Sequence, residues 1–206
     1  MTVRTKICGF TRAEDLDAAI ALGVDAVGLN VAKGPRKMSV DQATAFVRRC
    51  PPFVTTVLLV VDPDLDTALD LITATRCQAI QLHGDEPPDL AEKLRRRVHV
   101  LKAFAIAEAG DIDRVAGYPA DAYLLDAKVS GQSGGTGRTW DWSLLRRDLG
   151  APVVLAGGLN ADNVATAVTA TRPWAVDTAS GVESVPGIKD PARMAAFLAA
   201  VRGAGR

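Results

Sequence analysis

Two residues at the ends of apolar runs could move protons. In DAYLLD (121–126) the run stops at a carboxylate, Asp126, and a loop of small residues follows: Gly131, Ser133, Gly134, Gly135, Thr136 and Gly137. A rigid strand aims a side chain while a loop of this kind can close over a ligand. The plain alternative is a flexible connection after a strand. In KICGFT (6–11) the apolar start of the chain ends at Cys8, just before Gly9. A thiol acting as a base must ionise from an ordinary pKa of about 8.5, helped by helix N-termini or a cation. A carboxyl acting as an acid must instead keep its proton, which burial and a neighbouring anion favour. Facing each other across a cavity, Cys8 and Asp126 would form a base and acid pair. Each has a bland reading too, since a lone cysteine is more often a small buried hydrophobe and an aspartate can simply cap a loop.

Other residues could hold an anionic substrate. LAGGLN (155–160) places Gly157 and Gly158 after an apolar run, and DTASGVE (177–183) places Asp177, Ser180 and Gly181 after another. Glycine in such turns lets an oxyanion approach backbone N–H groups, and a following helix start adds a favourable dipole. Arg36, in VAKGPRKMS (31–39), carries a planar fork suited to both oxygens of a carboxylate, with Lys33 and Lys37 beside it. A solvated basic loop is the alternative. His83, in QLHG, could polarise or position substrate, although a histidine bonded to backbone is the commoner use.

These groups need elements to aim them. Short β-branched runs at 3–7, 26–31, 54–61, 79–82, 98–103, 122–126, 152–155 and 175–178 alternate with amphipathic segments at 12–22, 40–49, 65–75, 87–96, 108–116, 142–148, 161–171 and 191–202. Thr11 with Glu14, and Ser39 with Gln42, have capping-box spacing, and Leu16, Ala19 and Ile20 share one face of the first helix. Continuous apolar strands such as VLLVV (57–61) suit a parallel sheet covered by helices. Eight βα units predict an α/β fold, a (β/α)8 TIM barrel, with residues 1–206 as one domain. An open doubly wound sheet is the structural alternative, but ICGFT lacks GxGxxG, as does every other βα turn. In a barrel every candidate above falls at the carboxyl ends of strands, where such folds react, and the two glycine turns follow the seventh and eighth strands, a common place for phosphate.

Composition sets the outer bounds. The 206 residues are 48% hydrophobic, and the 24 basic and 24 acidic side chains balance, so net charge favours neither nucleic acid nor an anionic membrane as partner. Cys8, Cys50 and Cys77 lack metal-type spacing, no secretory core stands at the start, and no apolar run approaches the roughly 20 residues that cross a bilayer. These features suit a cytoplasmic enzyme with a small-molecule substrate, acting as a monomer or homodimer, with Cys50 and Cys77 in packing roles.

KICGFT, PRKMS (35–39), QLHGDEP (81–87), LLDAK (124–128), GGTGRTWDW (134–142), LAGGLN, DTASGVE and PGIKD (186–190) together resemble the phosphoribosylanthranilate isomerase family, in family order and from first strand to last helix. The resemblance implies an Amadori rearrangement of a phosphoribosyl aminoaldose in tryptophan biosynthesis. It assigns Cys8 as the base that removes the sugar C2 proton and Asp126 as the acid that protonates the ring oxygen. Arg36 would hold the anthranilate carboxylate, and the turns at Gly157–Gly158 and Ser180–Gly181 the phosphate, with no metal or organic cofactor. Gly134 to Gly137 would cover the site. The chain departs from the family pattern in a 28–36 segment about one residue short, with Asn30 at a position usually apolar or aromatic, in Phe10 and in Asp62. A histidine-pathway isomerase is the nearest alternative, but its relatives carry aspartate where Cys8 stands. A silent, binding-only barrel would have no need of both Cys8 and Asp126.

Overall fold

The computed structural model describes residues 2–127, 140–145 and 148–204. Eight parallel strands close into a barrel in sequence order: β1 Arg4–Cys8, β2 Ala26–Asn30, β3 Thr55–Val60, β4 Ala79–Leu82, β5 His99–Ile106, β6 Ala122–Ala127, β7 Val153–Leu155 and β8 Ala175–Thr178. The barrel is the one that the βα alternation predicts. Around it lie α1 Ala13–Ala21, α2 Val40–Arg49, α3 Leu65–Thr75, α4 Pro88–Leu94, α5 Ala109–Asp113, α6 Val164–Thr171 and α7 Pro191–Ala204.

Side chains alternate across each strand, so the barrel divides its core in two. The larger part lies between strands and helices and includes Ile7, Phe10, Leu16, Leu58, Ile80, Leu125, Val176 and Phe197. The smaller part fills the barrel itself with Ala103, Ala122, Leu124, Val154, Ala156 and Ala175. Parity then fixes the polar residues. Asp177 lies two beyond Ala175 and Asp126 two beyond Leu124, so both point inward. Register pairs Asp177 with Lys6, which turns Lys6 and hence Cys8 inward too, and pairs Cys8 with Gly28 on β2.

Two local expectations are corrected. Ser39 and Gln42 do form the capping box of α2, but Thr11 does not cap α1: its hydroxyl donates to Gly187 O at 2.5 Å, and Arg12 is the N-cap. A tertiary acceptor has displaced the local one. The helix expected over 142–148 is, among the described residues, a single 3-10 turn, Trp142–Leu144, whose start Asp141 caps through Ser143 N and whose next residue, Leu145, is extended. The eighth βα unit also carries elements that the apolar periodicity does not reveal. After β8 comes a 3-10 turn, Ser180–Val182, and then a hairpin of β9 Glu183–Val185 and β10 Ile188–Lys189, turning at Pro186 and Gly187 before α7 begins. Among the described residues no helix is long and apolar enough to cross a membrane.

Candidate active site

Cys8 ends β1 facing the barrel axis, 7% exposed. Its thiol fits only because its neighbour on β2 is glycine, since a Cβ on Gly28 would lie 2.5 Å from Cys8 Sγ. Beneath it Lys6 Nζ donates to Asp177 Oδ1 at 2.9 Å, both side chains being largely buried. Burial pushes the Cys8 thiol above its ordinary value, while the Lys6 ammonium next to it works to lower it. Burial also works against the Lys6 ammonium, but Asp177 and Cys8 outweigh it, so the cation is held.

Asp126 stands at the end of β6 on the same inner face. Burial, and then the Asp177 carboxylate, push its pKa up to about 6. It therefore keeps a proton in a pH range where an exposed aspartate has lost it. His83 Nε2 is 3.9 Å from Asp126 Oδ2, too far for a hydrogen bond. Its Nδ1 is 2.8 Å from Gln81 Nε2. This bond to the Gln81 side-chain amide turns Nε2, the other ring nitrogen, toward Asp126. Burial, with Lys6 and Lys102 nearby, drops the His83 pKa to about 4, which leaves the ring neutral. The commoner histidine use, a bond to backbone, is thus replaced by one to the Gln81 side chain.

The two glycine turns meet Asp126 in one cleft, lined by Asp126, Ala156 to Leu159 and Asp177 to Ser180. Gly157 (φ +90°) and Gly158 (φ +65°) have left-handed backbone. A Cβ on Gly157 would strike Ala127 N, and one on Gly181 would strike Leu159 O, so both glycines are required by the close approach of neighbouring turns. Helix α6 begins at Val164, three residues later than expected, because Asn160 and Asn163 exchange side-chain and backbone bonds ahead of it. Asp177 lines the cleft with its Oδ1 already committed to Lys6.

Arg36 lies across the mouth of β1, its stem where a Cβ of Gly9 (φ +79°) would stand. It is not a solvated loop cation, since Nε and Nη2 each donate to Glu183 at 2.7 Å. The short 28–36 segment is closed by Asn30, whose side chain accepts from Ala32 N and donates to Lys33 O. An amide there ties the loop where an apolar residue could not. Asp62, beyond β3, belongs to the scaffold, its carboxylate accepting from Asp85 N at 2.7 Å. Gly135 and the expected cover, Gly134 to Gly137, lie outside the described residues. Of the described residues that flank that stretch, Ala127 approaches Gly157 through its backbone N and Trp140 donates its indole N–H to Ala156 O at 3.3 Å. Sequence reasoning missed Lys6, Glu183 and Lys189 as functional candidates, although all three fall within or beside the quoted motifs.

A closed parallel barrel whose thiol, carboxyl and glycine turns converge at the carboxyl ends of the strands is a TIM-barrel enzyme. Comparison with known proteins narrows the class. The family described as N-(5'phosphoribosyl)anthranilate (PRA) isomerase matches residues 5–200. The chain is 48% identical over 207 residues to the N-(5'-phosphoribosyl)anthranilate isomerase of Pseudomonas paraeruginosa, covering 99% of this chain and 97% of that one. With the phosphoribosyl anthranilate isomerase of Thermotoga maritima it superposes at a TM-score of 0.93, with 39% identity, over 98% of this chain and 99% of the other. A further isomerase structure, in complex with reduced 1-(o-carboxyphenylamino)-1-deoxyribulose 5-phosphate, has a TM-score of 0.89 and 37% identity over 98% of this chain and 99% of its own. The chain belongs to the N-(5'-phosphoribosyl)anthranilate isomerase family and is an isomerase of tryptophan biosynthesis.

Proposed function

We propose that this chain, residues 1–206 acting as one catalytic unit, converts N-(5'-phosphoribosyl)anthranilate to 1-(2-carboxyphenylamino)-1-deoxyribulose 5-phosphate, with Asp126 as general acid and Cys8 as general base. Asp126 delivers its proton to the ribose ring oxygen. The bond from that oxygen to C1 breaks as the anilino nitrogen's lone pair forms the C1=N bond. Cys8, whose ionisation the Lys6 and Lys189 ammonium groups favour against burial, then takes the proton from C2 as its thiolate, and the electrons of the broken C2–H bond form the enolamine, which tautomerises to the ketone. Atoms and charge balance within the substrate, so proton transfer and positioning are all the protein must supply. The turns at Gly157–Gly158 and Ser180–Gly181 receive the phosphate, Asp177 and His83 border the sugar, Arg36 pairs with the benzoate carboxylate, and Gly135 belongs to the cover over the open-chain intermediate.

The observation that carries this reading is the cleft joining Asp126, whose carboxyl is held toward its protonated form by burial, to both glycine turns, with Cys8 on the same inner face of the barrel. Adding phosphoribosylanthranilate to the purified chain should quench its anthranilate fluorescence. Cys8→Ala and Asp126→Asn should each slow that loss by about a hundred- to ten-thousand-fold, the usual worth of a positioned acid or base, while binding of inorganic phosphate persists. An unchanged rate in either variant removes that residue from the mechanism. A cytoplasmic location fits this chemistry. For assembly the reading is monomer or homodimer, a dimeric isomerase being known from Thermotoga maritima, and sedimentation equilibrium decides between them.

A further inference from the structure

We infer that Glu183 and Lys189 are positioning residues that aim Arg36 at the substrate carboxylate, Glu183 by holding one edge of the guanidinium and Lys189 by keeping that pair positively charged. The inference rests on the assignment of Arg36 to the carboxylate. A guanidinium is flat and presents five N–H donors. Here Nε and Nη2 are turned to the two oxygens of Glu183, at 2.7 Å each, in a bidentate pair. Among the described residues no hydrogen bond is made by Nη1, and that side of the plane is the edge a second planar carboxylate can meet.

Glu183 alone would defeat the purpose, since a carboxylate under the guanidinium cancels the charge that attracts the substrate. Lys189 offsets it. Its Nζ donates to Glu183 Oε1 at 2.9 Å, to Cys8 O at 2.6 Å and to Ala179 O at 3.0 Å. Burial lowers the Lys189 pKa, but three acceptors take up all three hydrogens of an ammonium and the Glu183 carboxylate favours its charge. Arg36, Glu183 and Lys189 together carry one net positive charge, and the side chains of Glu183 and Lys189 are 4% and 0% exposed. That charge is poorly screened, and the fork is fixed before substrate arrives.

The hairpin supplies the geometry. Glu183 and Lys189 are direct cross-strand partners. The Gly187 carbonyl at its turn accepts from Thr11, and the position of a Gly187 Cβ lies 3.1 Å from Pro35 O. One hairpin therefore braces the loop after β1 and the loop after β2, and Lys189 holds the backbone of Cys8 directly. The competing reading is that Glu183 occupies the carboxylate's place and is pushed aside by substrate. The two differ in sign.

The test uses the full chain and two stable probes, the reduced product analogue with its benzoate carboxylate and the same molecule with hydrogen in that position, each titrated by calorimetry. Glu183→Gln should weaken the carboxylated probe by about ten-fold or more and leave the other unchanged, the size expected for losing one charge-assisted contact. In kinetics KM should rise while kcat holds. Lys189→Met should act in the same direction. If Glu183→Gln binds the carboxylated probe as tightly as the parent, or more tightly, the inference is overturned. Should the glutamine variant not fold, Glu183→Asp keeps the charge but retracts it, and the same loss of discrimination is expected. Arg36→Met separates premise from inference. If it removes the discrimination while Glu183→Gln does not, only the positioning role fails; if it leaves discrimination intact, the carboxylate assignment fails.

Discussion

Asp126 has to satisfy opposed demands, remaining protonated near neutrality while sitting close to the water-accessible end of a barrel. Burial and Asp177 work toward the first by raising its pKa to about 6, which keeps a fraction of the acid form near neutrality. His83, neutral and 3.9 Å away, adds no positive charge that would draw the proton off. A carboxyl-carbon NMR titration of Asp126 in the free protein should therefore show a midpoint near 6, moving upward when inorganic phosphate binds, because a nearby anion disfavours a second negative charge. A midpoint near 4 would mean that the cleft is too wet for Asp126 to serve as an acid at neutral pH. At this scale the placement of Cys8 and Asp126 at the inner ends of strands was legible from sequence, since an acid or thiol that ends an apolar run is a local pattern. Lys6, Glu183 and Lys189 were not. Their meaning lies in partners 171, 147 and 181 residues away, and a buried lysine in a short motif looks the same as an exposed one until the barrel closes.

Between the residue and the barrel stands the strand pair β1 and β2, which decides whether Cys8 can be where it is. A Cβ on Gly28 would come within 2.5 Å of Cys8 Sγ and 3.0 Å of its Cα. Gly28→Ala should destabilise the fold by about 1–3 kcal/mol, the usual range for overpacking, and depress turnover more than substrate binding. In a Cys8→Ala background the stability penalty should shrink, because the sulfur it strikes is gone. Equal penalties in the two backgrounds, read from urea midpoints, would show that thiol and glycine do not compete for the space. For α2, Ser39→Ala removes the capping hydroxyl and should cost about 1 kcal/mol, as N-cap losses do. Elements were legible where local signals and tertiary needs agreed, as in that capping box. They were misread where a distant partner won, as when Gly187 drew away the Thr11 hydroxyl, and where strands were too short to show a period, as in the two-residue arm Ile188–Lys189.

The whole barrel is closed by β1 against β8, and the seam carries a buried ion pair. Lys6 and Asp177 are register partners, 2.9 Å apart, with side chains 4% and 11% exposed. Titration adds a pH dependence. Asp126, raised from 3.8 to about 6, stabilises the fold fully below about 4 and loses that contribution as pH rises through 6. His83, lowered from 6.5 to about 4, does the reverse, contributing above 6.5 and losing it as pH falls through 4. Asp126→Asn should thus be more stable than the parent at pH 8, by up to about 3 kcal/mol for two pH units, with little gain at pH 4. The seam itself predicts a sharper asymmetry. Lys6→Met leaves Asp177 buried without its cation and should cost about 3–5 kcal/mol, whereas replacing both, as Lys6→Met with Asp177→Leu, should recover most of that loss. Urea unfolding at pH 7 reads the difference. A single substitution costing under about 1 kcal/mol would show that water or Lys189 can take over the Asp177 charge, and that backbone pairing and the outer apolar core close the barrel without help from the pair.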